Sequence, residues 1–117
     1  MSYKIDWTTI QNIDIISYFS IQVQTPVTRA FITTFGKIGF VDLAFAPINN
    51  INGTVIRLPS SLGIAPIYAT ELTARVGDTD TRRGLIATSG TDTVISVNQH
   101  TASANKFVTV FGMFFLQ

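Results

Sequence analysis

Any chemistry done by this chain must come from one histidine, seven carboxylates and eight basic side chains, because cysteine is absent. That absence removes thiol catalysis, disulfides and thiolate-bound zinc or iron. His100 is the sole histidine, with Ser96, Ser103 and Asp92 near it in sequence. No G-x-S-x-G turn frames a serine there, so a Ser/His/Asp triad is not indicated. The plain reading of His100 is a solvated loop residue, and the functional one is a sugar contact. Asp78 and Asp80 stand two apart in GDTDT, like the start of a calcium loop. Arg82 and Arg83 follow where ligands would be needed, so a solvated turn with local Asp–Arg pairing is expected instead. Glu71 is the only glutamate. One carboxylate cannot supply the acid–base pair of a glycosidase, and Asp42 has no sequence reason to face it. A polar sheet face or an intersubunit pair with Arg75 is the expectation for Glu71. No G-x-x-x-x-G-K-[ST] phosphate cradle occurs. Catalytic residues, metal ligands and cofactors are therefore not expected, and the chain reads as a non-enzyme.

Binding asks less of a sequence than catalysis does. A sugar offers hydroxyls in fixed directions and one or two apolar faces. Its sites combine an aromatic platform with Asp, Asn, Arg or His side chains that fix the hydroxyls. One polar stretch supplies Asp78, Asp80, Arg82 and Arg83; another supplies Asn98, Gln99, His100 and Asn105. Tyr68 offers a platform, and Trp7 offers a second. The plainer alternative is that these residues are what turns are made of. A net charge of +1 gives no basic face for nucleic acid or anionic lipid. Arg29 to Lys37 mix bases with aromatics, but the Phe residues there are expected to point into the core.

These side chains need a frame, and the composition names it. Sixteen Thr, fifteen Ile, nine Val and nine Phe, against one Glu and three Lys, favour strands over helices. Residues 27–35 and 38–45 alternate around Gly36-Lys37, a two-residue hairpin turn. Strands are also expected over residues 13–24, 54–58, 67–76, 84–88, 93–98 and 107–116. Residues 77–83 and 99–106 read as polar loops, and Ser89-Gly90-Thr91-Asp92 as a hairpin turn. Seven to eight short strands in 117 residues predict one all-β domain, a small antiparallel β-barrel or jelly roll over residues 13–117. Residues 1–12 alternate poorly and read as an arm or linker, with no secretory signal pattern. No apolar run reaches the ~18 residues that would cross a bilayer as a helix, so no membrane insertion is expected. Only 13% of residues are charged and mean hydropathy is +0.35, which predicts self-association. Phe111, Met113, Phe114, Phe115 and Leu116 make the last strand apolar on both faces, and that points to a subunit interface.

The run Ile38-Gly39-Phe40-Val41-Asp42-Leu43, then Gly53-Thr54-Val55-Ile56-Arg57-Leu58-Pro59, then Gly63 to Pro66, carries a resemblance. With Leu85 to Thr93 and the aromatic segment Phe107 to Leu116, it is similar to the head domains of tailed-phage receptor-binding, tail-fibre and baseplate proteins. The resemblance spans residues 27–117. It implies a homotrimeric head in the virion, at the tail or baseplate tip, next to other tail or baseplate proteins. The function it implies is adhesion to host-surface saccharide without cleavage. The family pattern gives no residue-by-residue site, so the expected contacts are those of the polar kit: Asp78, Asp80, Arg82, Arg83, Asn98, His100 and Tyr68. The alternative is a purely structural, trimerising tip or assembly domain with no ligand.

Overall fold

The computed structural model describes residues 10–117, and Trp7 with the rest of residues 1–9 lies outside them. Eight strands follow in chain order: β1 Ile10–Asp14, β2 Arg29–Phe35, β3 Ile38–Phe45, β4 Gly53–Leu58, β5 Thr70–Val76, β6 Asp80–Ser89, β7 Asp92–Val97 and β8 Val108–Phe115. All pair antiparallel in one sheet of order β1-β2-β3-β8-β5-β6-β7-β4. The protein is all-β, and the sheet curls into a half-barrel. Two single 3₁₀ turns, Ile16–Tyr18 and Ser60–Leu62, are the helical elements among the described residues.

Alternation explains which way each strand faces. On β3, Val41, Leu43 and Phe45 point inward and are buried, while Phe40 and Asp42 are exposed. Of their partners on β8, Val110 and Val108 are buried in turn, as are Ala30 and Ile32 of β2. The interior continues through Leu72 and Ala74, Ile86, Ile95 and Val97, then Val55, Ile56 and Leu58. Phe45 meets Phe19 edge-to-face, with ring centroids 5.0 Å apart. Gly39 has a packing reason to lack a side chain: a methyl there would sit within the Phe114 ring.

The open side of the curl is laced by the chain after β1. Phe19 bridges Ile56 of β4, and Ser20 N donates to Val55 O at 2.9 Å. Gln24 N donates to Ala46 O at 2.8 Å, and Ile48 N to Gln22 O at 3.1 Å. Strand β4 closes the sheet order, so the segment that follows the first strand touches the last one. This lacing covers much of an edge that would otherwise offer free N–H and C=O groups.

Four local expectations need correction. Residues 13–24 do not form one strand: Asp14 Oδ1 accepts the N–H of Ile16 at 2.9 Å, which bends the chain into a turn after β1. Strand β1 itself begins at Ile10, so residues 10–12 are paired with β2 and are not an arm. Phe31 and Phe35 do not enter the core, because β2 is registered with Ala30 and Ile32 inward. The hairpin at Gly36-Lys37 forms where expected, with Gly36 at φ +58°. Finally, Asp80 to Arg83 belong to strand β6 and not to a loop. Their polarity reflects a strand that outruns its neighbour β7, whose pairing with β6 stops at Gly84↔Val97.

Candidate functional site

The overhanging end of β6 organises the polar residues. Pairing with β5 runs from Val76↔Asp80 to Thr70↔Ile86, so period-two alternation splits the stretch between two faces. Asp80 and Arg82 stand opposite Val76 and Ala74, both buried, and so share the core side at its rim. Thr81 and Arg83 stand opposite Arg75 and Thr73 on the outer side. Asp78 lies in the turn between β5 and β6, exposed, and its backbone carbonyl accepts from Arg75 Nη2 at 2.5 Å.

The chain after β7 closes on this rim. Asn98 N donates to Arg83 O at 3.0 Å, which places the exposed Asn98 beside the arginines. Two residues on, His100 is only 4% exposed, so it is not a solvated loop residue. Its Nε2 lies 2.6 Å from Asp80 Oδ2. The backbone N–H of Ala102 donates to Nδ1 at 3.1 Å, so Nδ1 presents its lone pair and Nε2–H points at the carboxylate. With both nitrogens engaged and the ring covered, His100 positions Asp80. It has no free edge for a ligand.

The same loop is fixed from its other side. His100 N donates to Ile51 O at 2.9 Å, and Ser103 Oγ accepts from Ile51 N at 2.8 Å while donating to His100 O at 3.1 Å. Asn50 Nδ2 donates to Thr101 O at 2.7 Å, and Asn50 Oδ1 accepts from Ala104 N at 2.9 Å. Gln24 Nε2 reaches Asn105 Oδ1 at 2.5 Å. Asn50 and Ser103 thus decide where His100 sits. Asn50 carries no mark in the sequence and Ser103 only its nearness to His100, because each bonds to backbone atoms some fifty positions away.

Electrostatics sharpen the role of Asp80. Its bond to His100, and secondarily the charge of Arg82 at 3.3 Å, hold its carboxyl below the usual carboxylate range despite some desolvation. A carboxylate so held accepts hydrogen bonds at neutral pH and is a poor proton donor. On the outer side Arg83 Nε pairs with Glu71 Oε1 at 2.5 Å, so Glu71 takes Arg83 and not Arg75 as its partner. Both members are well exposed, at 59% and 65%, and can be reached by a ligand. A shallow groove of about 370 Å³ runs between them, lined by Glu71, Leu72, Thr73, Thr81, Arg82 and Arg83.

One expected contact, Tyr68, falls outside this arrangement. Tyr68 is 59% exposed but precedes Thr70, at the far end of β5 from the Val76↔Asp80 pair. At ~3.4 Å per residue it lies roughly 20 Å from the arginines and cannot share one sugar ring with them. Asp42, considered against Glu71, pairs instead with Arg29 at 3.1 Å. A second depression, about 530 Å³, sits among Ser60, Gly63, Ile64, Thr88, Thr91 and Gln117, with no ionisable side chain in its lining. Among the described residues, no three His, Cys, Asp or Glu side chains converge as a metal site would require.

The exposed end of β6 therefore carries Asp80 and Arg82 on its core-side rim and Arg83, beside Asn98, on its outer side, with Asp78 in the adjoining turn and His100 behind Asp80. The set can donate from two guanidiniums, accept at a carboxylate and do both at an amide. That chemistry fixes hydroxyls or grips a phosphate. Searches against protein-family models, curated proteins and solved structures return no match to this chain.

Proposed function

We propose that this chain is the head domain of a tailed-phage receptor-binding protein, carried at the tail or baseplate tip as a homotrimer, which adheres to host-surface saccharide without cleaving it. The observation that carries the reading is the exposed overhang of β6, which sets Asp80 and Arg82 on its core-side rim and Arg83, beside Asn98, on its outer side, next to a groove that Arg82 and Arg83 line. Hydroxyl groups are recognised by such mixed donors and acceptors, and a phosphate-bearing polymer would engage the arginines as well. The sequence resemblance to phage head domains over residues 27–117 points the same way. The curled antiparallel sheet and its aromatic last strand suit a small barrel-like head whose copies associate. Contact without hydrolysis suits a carboxylate that His100 and Arg82 keep ionised.

Whole-cell binding and a glycan array test this directly. Arg82→Ala removes an exposed donor and leaves the His100–Asp80 contact in place, so it should weaken binding about tenfold, or ~1.4 kcal/mol. Stability should move by less than ~0.5 kcal/mol, as for most surface changes. Parent-like binding by a folded Arg82→Ala protein would remove this groove from the reading. No glycan or cell binding by the parent would leave the second reading, a structural trimerising tip. That reading is favoured by one separate observation, the aromatic outer face of β8.

A further inference from the structure

The geometry points to the aromatic outer face of β3 and β8 as the surface on which a second copy of this chain packs. Six side chains make the face: Phe35 on β2, Ile38 and Phe40 on β3, and Phe111, Met113 and Phe115 on β8. Register places them side by side, since Ile38 stands opposite both Phe35 and Phe115, and Phe40 opposite Met113. Phe40, Phe111, Met113 and Phe115 are 41–47% exposed, while Phe35 and Ile38 are half-buried. Strands ~4.8 Å apart make such a row continuous, not a scatter of single residues.

Area and charge select the occupant. With roughly 200 Å² per large side chain, the six leave about 450 Å² of apolar surface in water. A standard interface takes ~800 Å² per partner, and in homo-oligomers about two thirds of it is apolar. The face thus supplies nearly the whole apolar core that such an interface needs. None of the six is charged, so copies of this face that meet about one axis set no like charge on like. Asp42, which stands opposite Phe111, is neutralised by Arg29 at 3.1 Å. A lipid surface would call for a basic rim. Lys37 sits in the adjoining turn, but its ammonium donates to the Gln117 carbonyl at 3.0 Å. Side chains that stand off a sheet in rows suit a second sheet packed at ~10 Å.

This deepens the assembly part of the proposed function by naming the shared surface, and takes nothing from saccharide binding. Sedimentation equilibrium at micromolar protein tests it, on the parent, on Phe40→Glu/Met113→Glu and on the milder Phe40→Thr/Met113→Thr. Circular dichroism checks that each variant folds, and the Thr pair carries the test if the Glu pair does not. The expected result is an oligomeric parent and folded variants whose association is weakened at least about tenfold. Folded variants with the parent's mass would overturn the face while leaving a trimer through another surface standing. A monomeric parent would overturn both, and so would a monomeric parent that floats with phosphatidylcholine/phosphatidylglycerol vesicles, which would make the face a lipid contact.

Discussion

The two halves of the outer surface are built on the same sheet and behave as opposites. Beneath both, the inward residues are uniformly apolar, from Ile32 and Leu43 through Val110 to Leu72, Ile86 and Ile95. Above them, β2, β3 and β8 turn Phe35, Phe40, Phe111, Met113 and Phe115 outward, while β5 and β6 turn out Glu71, Thr73, Arg75, Thr81 and Arg83. Six of the fifteen charged residues (eight basic plus seven acidic) lie on β5, β6 and the turn between them. Folding needs only the inward set, because alternation buries it whatever stands outside. The outward set is free to differ, and its division into an aromatic half and an ionic half separates a surface suited to protein from one suited to a hydrated ligand.

The sharpest way to break this comparison is to truncate adjacent faces of one strand. Phe114 is fully buried, whereas Phe111, three residues earlier on β8, is 44% exposed. Phe114→Ala should cost ~3–5 kcal/mol, from lost burial plus the cavity it leaves. Phe111→Ala should leave the isolated chain within about 1 kcal/mol of the parent. Its effect should grow with protein concentration if the face is covered by another copy. Urea midpoints at two concentrations read both numbers. Equal losses at the two sites would mean that the outer aromatic half belongs to the monomer's own core.

The inner face was legible in the sequence and the outer one only in part. Alternation over residues 38–45, the Gly36-Lys37 turn and the Gly90-containing turn are local signals, and each appears where local chemistry put it. The phase of β2 was not legible: Phe31 and Phe35 are larger than Ala30 and Ile32, yet the register turns the smaller pair inward. Period-two alternation has two phases, and only the partner strands select one. The candidate site was half visible. Asp80, Arg82, Arg83 and Asn98 could be named as a kit, but their place at one strand end, divided between its two sides, depends on β6 overrunning β7. Burial of His100 depends on Asn50 and Ser103, long-range contacts that leave no periodic trace. Tyr68 carried the right chemistry to the wrong end of a strand.

Acid should act on the ionic half first. Asp80 has its folded-state value lowered by His100 and then Arg82, so its contribution is present above the unfolded carboxylate value. That unfolded value is ~3.9, and the contribution is lost as pH falls below it through the folded value. Asp80→Asn should therefore be less stable than the parent at neutral pH and lose less of its stability below about pH 4. Thermal melts of the two proteins across the acid range measure the difference. Parallel curves would mean that the His100–Asp80 contact contributes nothing that depends on charge. His100 would then hold its loop through Ala102 and Ile51 alone.

The smallest expected effect bears most directly on ligand binding. Arg83 and Glu71 are both more than half exposed, so a double-mutant cycle with alanine should give a coupling of only ~0.2–1 kcal/mol. Added salt should reduce it further, since exposed charges are screened within ~10 Å at 0.1 M. A weak pair is what a binding groove requires. Arg83 can give up Glu71 for a hydroxyl or a phosphate at little cost, and Glu71 can then take a hydroxyl proton of its own. A coupling near 3 kcal/mol would instead place the pair among the interactions that hold β5 to β6. The guanidinium would be committed to the fold, and the binding role would shift to Arg82 and Asn98. Salt-dependent denaturation of the four proteins in the cycle separates the two, because a committed pair should persist where a screened one fades.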